Sequence, residues 1–249
     1  MSDLKIKFNG SPQPTIGVEL ELFTVDKNNY SLINGAPGLL KSFKTSPFFK
    51  EELLQCIVEI TSDVCKNPEE IYNDLRPKLN DAIEYANNND FELISMPIHP
   101  FSRVADQLVS DNKRYIEFLD RMQWPLRRLL ITGIHVHVGV ETGEKAIAII
   151  NGMKRYIPYL IALSANSPFF EGELTGLAST RTKIFEGLPN TGVPVELRNY
   201  SEFQKFMRTL ISAQSIESIR EIWWDIRPHP GYGTVEIRIC DTIPNLKHI

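Results

Sequence analysis

The chain has 249 residues, with 27 Lys+Arg against 31 Asp+Glu, a formal charge of −4, and 42% apolar and 23% charged residues, the proportions of an ordinary globular protein. No basic excess is available for nucleic acid, no run reaches the roughly 18 apolar residues of a bilayer span, and the start, Met1-Ser-Asp-Leu-Lys-Ile-Lys, has no apolar leader core. Cys56, Cys65 and Cys240 form no CxxC pair, so a reducing cytoplasm is the simplest home, and a cytoplasmic enzyme or binding domain remains.

No internal repeat or Gly/Ser linker divides the sequence, so residues 1–249 read as one domain. Residues 15–25 alternate as a strand, with Val18, Leu20 and Leu22 on one face and Gly17, Glu19 and Glu21 on the other. Residues 26–51, rich in Asn, Gly, Pro and Ser, read as a long connection, and 57–61 as a second short strand. Asn67-Pro68 marks a helix start, continued by Ile71, Leu75, Leu79, Ala82 and Ala86, with Pro77 expected to kink or delay it. A strand over 91–96 and a helix over 111–122 follow. Residues 130–140 form the next strand; Thr142 then caps a helix whose end Pro158 should disturb. Residues 164–200 read as irregular, 201–218 as a helix, 227–233 as a Pro/Gly loop and 234–240 as a closing strand. Uneven strand spacing with long excursions favours an α+β mixed or antiparallel sheet over βαβ repeats.

The polar sides of these strands share a composition. Glu19 and Glu21 stand on the first and Glu59 on the second; His135 and His137 stand on the strand over 130–140, and Glu236 and Arg238 on the last. Any sheet with one wet face carries polar residues. Here, though, Glu dominates where Lys, Ser or Thr would serve as well. Clustered carboxylates repel one another unless cations are present, and oxygen ligands with occasional imidazole suit Mg²⁺ or Mn²⁺. The pattern therefore points to a bed for two or three divalent ions, suited to phosphoryl transfer. No P-loop or G-x-G-x-x-G motif occurs, so any ATP would bind on the sheet rather than in a phosphate loop.

The motifs Thr15-Ile-Gly-Val-Glu-Leu-Glu, Leu54-Gln-Cys-Ile-Val-Glu-Ile, Gly133-Ile-His-Val-His-Val-Gly-Val, Leu163-Ser-Ala-Asn-Ser-Pro-Phe-Phe, Thr175-Gly-Leu-Ala-Ser-Thr-Arg and Trp223-Trp-Asp-Ile-Arg-Pro-His-Pro-Gly-Tyr-Gly-Thr-Val-Glu-Ile-Arg together resemble the carboxylate-amine ligase family related to glutamate–cysteine ligase (type 2). The resemblance implies a glutamine-synthetase-like, mainly antiparallel sheet with helices packed on one face. It also implies an ATP- and Mg²⁺-dependent ligase that phosphorylates the side-chain carboxyl of glutamate and forms an amide with an amino acid such as cysteine. Glu19, Glu21, Glu59, His135 and Glu236 match positions that hold the metals, Arg238 would neutralise the transferring phosphoryl group, and Arg181 would clamp a substrate carboxylate. His137, Arg227 and His229 are further substrate-binding candidates, and a homodimer is compatible with the resemblance. Leu20 stands where the family has a third Glu, on the core side. Members run on past the Thr-Val-Glu-Ile-Arg strand, so this domain reads as short at its C-terminus. Two other readings are a non-catalytic metal- or nucleotide-binding relative and a metal-dependent hydrolase. The hydrolase would place His-x-His on a first βα strand, whereas here Glu-x-Glu comes first.

Overall fold

A computed structural model describes residues 5–248; residues 1–4, part of the start read above for its lack of a leader, and residue 249 lie outside the described residues. In chain order the strands are β1 (Ile16–Asp26), β2 (Phe49–Glu51), β3 (Ile57–Thr61), β4 (Phe91–Ile94), β5 (Gly133–Gly139), β6 (Phe169–Phe170), β7 (Glu173–Leu174), β8 (Thr191–Gly192), β9 (Trp223–Trp224), β10 (Ile226–His229) and β11 (Thr234–Asp241). The helices are α1 (Ala36–Ser42), α2 (Pro68–Asn88), α3 (Lys113–Met122), α4 (Trp124–Arg127), α5 (Gly143–Met153), α6 (Ile157–Ser164), α7 (Thr180–Phe185) and α8 (Tyr200–Ser212).

Among the described residues, seven strands form one sheet in the order β10-β11-β5-β1-β3-β2, with β4 also paired to β1. Every pairing in it is antiparallel. The order makes neighbours of the four strands whose polar faces carry the ionisable residues. On the opposite face Val18, Leu20, Leu22, Val58, Ile60 and Ile134 pack with Ile71, Leu75, Ala82 and Ala86 of α2. Farther along that face Val235 and Ile239 of β11 pack with Ala146 and Ile150 of α5 and Ile157 of α6. Leu20 is thus a core residue, 2% exposed. Burying such side chains contributes about 1.5–3 kcal/mol each, and this is what fixes which face of each strand is left for chemistry.

Local chemistry accounts for the element ends. Asn67 accepts the Glu70 amide at 2.9 Å while Glu70 accepts the Lys66 amide at 2.8 Å, which satisfies amides the first turn of α2 leaves free. Pro77 lies inside α2, which continues through it to Asn88. Thr142 caps α5 by accepting the Lys145 amide at 3.1 Å. Helix α8 stops at Ser212 rather than 218 because Gln214 turns left-handed (φ 57°) and the Ser215 amide donates back to the Leu210 carbonyl at 2.9 Å.

Four further sequence expectations are corrected. Residues 26–51 are more than a connection, since α1 and β2 lie within them. Pro158 does not simply disturb a helix end: it sits in the first turn of a new helix, α6, where its missing N–H costs nothing. The stretch 164–200 holds α7 and three two-residue strands. The first three residues of the Pro/Gly loop, 227–229, belong to strand β10, where Pro228 is tolerated because β10 is the sheet edge.

Candidate active site

The register of the sheet builds the site. Glu19 faces His135, Glu21 faces Glu59, Glu236 faces His137 and Arg227 faces Glu236 across adjacent strands. Glu59, His135, His137 and Glu236 are all buried. His135 Nδ1 lies 2.9 Å from Glu19 Oε2, and its Nε2 lies 3.8 Å from Glu21 Oε1. His137 Nδ1 is 2.9 Å from the Thr234 hydroxyl, which leaves its Nε2 without a hydrogen-bond partner, 3.3 Å from Glu19 Oε1. The Gly133 amide donates to Glu21 at 2.6 Å.

Three groups of ligand atoms each lie within 4.8 Å of one another: Glu19, Glu59 and His135; Glu19, His137 and Glu236; and Glu21, Glu52 and Glu59. Their electrostatics differ. Burial raises Glu59, the Glu19 charge adds to it, and the Lys50 ammonium only partly offsets them. Burial also lifts Glu52 well above the ordinary carboxylate value, reinforced by Glu21 and Glu59. Glu21 is raised by burial in spite of Arg181 and Arg238. Burial pushes Glu19 the same way, but the His135 hydrogen bond and the adjacent His137 imidazole overcome it and hold Glu19 well below the ordinary carboxylate value. Burial holds His135 below the usual histidine value, which favours the neutral imidazole; with Nδ1 donating to Glu19, its Nε2 lone pair can act as a ligand. Carboxylates that raise one another beside a buried, unpartnered imidazole nitrogen form the donor set of an oxygen-preferring divalent cation. The residues therefore fit Mg²⁺ or Mn²⁺.

The arginines are arranged differently from the carboxylates. Burial works against the charged form of Glu236, but Arg227 and Arg238 hold it well below the ordinary value. Arg227 grips Glu236 with two bonds, 2.8 and 3.1 Å, and gives another to the Ile222 carbonyl at 2.7 Å. Its donors thus support Glu236. Arg238 also bonds Glu236 through Nη1, and its Nε has no partner. Arg181, 3% exposed, donates to the carbonyls of Arg238 and Ile239 at 3.2 and 3.3 Å, where the β5–β11 register shifts, and its Nε is likewise unpartnered. Gly133 makes this possible, since a Cβ there would overlap the Arg181 guanidinium. Asp241 fixes the segment that carries Arg181 by accepting from Ser167, Ser179 and the Asn166 amide at 2.7–2.9 Å. His229 stacks on Tyr232 at 4.2 Å, and burial lowers it to about 4.

Two cavities meet over this bed. The larger, about 550 Å³, is lined by Glu19, Glu21, Glu59, His135, Arg181, Arg227, His229 and Arg238 among others. The smaller, about 470 Å³, includes Ser11, Thr15, Gly17, Phe48, His137 and Thr234. Glu19, Lys50 and Tyr232 line both. The structure thus gathers all ten sequence candidates, with Arg227 and Arg181 engaged on Glu236 and on backbone carbonyls. Sequence reasoning missed Lys50, whose ammonium is 2.9 Å from Glu59 and 3.9 Å from Glu19, and it missed Glu52. The only signal for either is the charged run Lys50-Glu-Glu just before the Leu54–Ile60 motif, and nothing in its period marks it.

Known proteins resemble this chain over nearly its whole length. The chain is 40% identical over 252 residues to a candidate glutamate–cysteine ligase 2 of Thermobifida fusca, covering 99% of this chain and 63% of the relative. It is 41% identical to a similarly named protein of Frankia alni (99% and 66% covered) and 40% identical to one of Mycobacterium tuberculosis (100% and 66%). The chain therefore spans about two thirds or slightly less, 63–66%, of the length of these relatives. Among solved structures, a bifunctional glutathione synthetase from Pasteurella multocida superposes with a TM-score of 0.69 at 16% identity, covering 95% of this chain and 37% of that one. A glutamate–cysteine ligase from Francisella tularensis in complex with AMP gives 0.64 at 12%, covering 94% and 62%. At these identities the two structures share the fold. The model of Glutamate-cysteine ligase family 2 matches residues 15–249, and the chain belongs to that family.

Proposed function

We propose that this chain carries an ATP- and Mg²⁺-dependent carboxylate–amine ligase activity of the glutamate–cysteine type, acting in the cytoplasm, with Mn²⁺ able to replace Mg²⁺. The observation that carries the reading is the bed of three overlapping donor sets, two carboxylate–imidazole and one all-carboxylate, at the meeting point of two cavities. Glu19, Glu21, Glu52, Glu59, His135, His137 and Glu236 would hold the ions. When bound, these offset the negative charge of the nucleotide's phosphates. The smaller cavity, with hydroxyls and bare backbone, suits the nucleotide; the AMP bound by the Francisella relative supports nucleotide use.

In this reading the glutamate side-chain carboxylate attacks the γ-phosphorus of ATP and ADP leaves. The amine then attacks the acyl carbon of the resulting acyl phosphate, phosphate leaves, and the nitrogen loses its proton. Arg238 and Arg181 line the larger cavity and bring guanidinium charge to its floor, where it suits a carboxylate or phosphoryl oxygen. Burial lowers Arg181, while for Arg238 the Glu236 charge outweighs burial and secures its cationic form. Arg227 acts through Glu236 as a positioning residue, and His229 lines the larger cavity beside Tyr232.

The test is phosphate release from Mg²⁺-ATP with glutamate and a panel of amines, with Glu19→Gln as the control. Release that needs glutamate and an amine together, and that falls at least about 10²-fold in Glu19→Gln, supports a ligase. Mn²⁺ and nucleotide binding without any release would instead mark a non-catalytic binding protein.

A further inference from the structure

The larger cavity has two unlike sides. Its floor is the ionisable bed; another part of its lining is apolar, the cavity-facing edge of a core cluster of Phe118 of α3, Leu126 of α4 and Leu188 after α7, each 5–6% exposed, together with Trp223 of β9. The Phe118 and Trp223 ring centroids are 5.4 Å apart. At the edge of this wall stand Arg114 and Arg220, both exposed and both lining the cavity. The other cations of the cavity are already engaged: Lys50 with Glu59, Arg227 and Arg238 with Glu236, and Arg181 with backbone carbonyls. Arg114 and Arg220 make no ion pair among the described residues. Acids are not lacking nearby, because Arg121, two turns along α3 from Arg114, binds Glu217 and Glu221 at 2.9 and 2.6 Å. The Arg114 guanidinium instead lies over the Phe118 ring, 5.4 Å from its centroid, an arrangement that leaves edge donors free for an oxyanion.

A reacting carboxyl belongs on the floor, under Arg181 and Arg238. An apolar wall with two unpaired guanidiniums at its rim is therefore built for the second reactant. We propose that this wall and rim bind the amine substrate, and that the amine is an amino acid with an apolar body. Its side chain lies against Phe118, Leu126, Leu188 and Trp223, and its carboxylate is held by Arg114 and Arg220. The inference rests on the ligase reading above and deepens it by naming the class of amine. Cysteine has no side-chain carbon beyond its Cβ to lay against this wall, and each methylene placed in such a pocket changes kcat/KM by about 10-fold or more.

The experiment uses the full chain with Mg²⁺-ATP and glutamate. It compares leucine, phenylalanine and cysteine with isoamylamine and phenethylamine, which keep the apolar body but lack the carboxylate. Leucine or phenylalanine should exceed cysteine by at least about 10-fold in kcat/KM. Phenylalanine should also exceed phenethylamine by at least about 10-fold, the scale of a charge-assisted pair. In the double variant Arg114→Gln/Arg220→Gln the phenylalanine value should fall to that of phenethylamine through KM rather than kcat. Both residues are exposed, so the variant should fold, and its melting curve checks this. Cysteine equal to or better than the apolar amino acids, or a carboxylate preference that survives the double variant, overturns the pocket while the turnover itself upholds the ligase. Release with none of the amines counts against the ligase reading. Calorimetric binding of phenylalanine against phenethylamine then decides the pocket separately: equal affinities overturn it, and a preference that the double variant abolishes supports it.

Discussion

Lys50 is the cation shared by both cavities, and its position sets a competition. Its ammonium sits on Glu59 and within reach of Glu19, two groups that also belong to the donor sets for a metal. Burial disfavours its charge, but the Glu59 carboxylate outweighs this and raises its pKa. Lys50→Met should therefore act in two directions. The bed, stripped of its resident cation, should bind Mn²⁺ about tenfold more tightly by calorimetry, while the metal-free protein loses about 1 kcal/mol after solvent screening of a partly exposed pair. Unchanged Mn²⁺ affinity would show that the lysine is a bystander. Glu236 calls for the opposite caution. Its removal would leave two buried guanidiniums unpaired at a cost of about 3–5 kcal/mol, so lost activity in Glu236→Ala reports on folding as much as on chemistry. Asp225 gives a separate pH signature, because burial, and next the Glu186 charge, raise it from 3.8 to about 6. A carboxyl raised in the folded state contributes stability that is fully present below 3.8 and lost as pH rises through about 6. Asp225→Asn should accordingly be more stable than the parent by roughly 2 kcal/mol at pH 8, with the gap closing by pH 4. Parallel thermal melts from pH 4 to 8 check this; a gap that widens toward acid would refute it.

At the scale of elements, the register shift in β11 joins the fold to the chemistry. Where β11 departs from regular pairing with β5 between Ile237 and Cys240, the carbonyls of Arg238 and Ile239 accept from Arg181. The Asp225 carbonyl takes the Arg238 amide at 2.8 Å. Arg181 reaches this point only because β5 begins with a residue that has no side chain. Gly133→Ala should displace the guanidinium, lowering kcat by about 10²-fold, as expected when an electrostatic group shifts by about an ångström. The core face of β5 and Mn²⁺ binding at Glu19 and Glu59 should persist. Loss of Mn²⁺ binding along with turnover would mean that the whole sheet had shifted. The same elements show why part of the site was legible in the sequence. Around Glu19, Glu21, Glu59, His135, His137 and Glu236 the strands alternate between core and site, so residue type and period two suffice to find them. Lys50 and Glu52 come from β2 and the turn after it, too short to show any period, and they reach the bed only through pairing of β2 with β3. Arg227 and His229 read as loop because prolines surround them, and only the edge position of β10 makes that sequence a strand.

Across the whole molecule, charge is separated from function by place rather than by amount. The chain carries a formal −4, yet the larger cavity is lined by six Lys and Arg side chains (Lys50, Arg114, Arg181, Arg220, Arg227 and Arg238) against four glutamates, Glu19, Glu21, Glu52 and Glu59. Divalent ions on the donor sets would make that cavity still more positive. A concave, low-dielectric site with a net excess of one sign focuses the field and raises the encounter rate of oppositely charged ligands. An acidic exterior at the same time keeps polyanions such as nucleic acid from binding broadly. Salt should therefore weaken capture of anionic substrates and leave neutral ones almost untouched, because screening acts on the approach from solvent more than on buried pairs. Raising ionic strength from about 0.02 to 0.3 M shortens the screening length from roughly 20 to 6 Å. Over that range the association rate constant for glutamate should fall several-fold, while that for glutamine, which has the same shape without the side-chain charge, should change far less. Stopped-flow binding to the Mn²⁺-loaded protein measures both. Parallel salt dependences for the two ligands would mean that the cavity cations are fully neutralised by their neighbours and steer nothing.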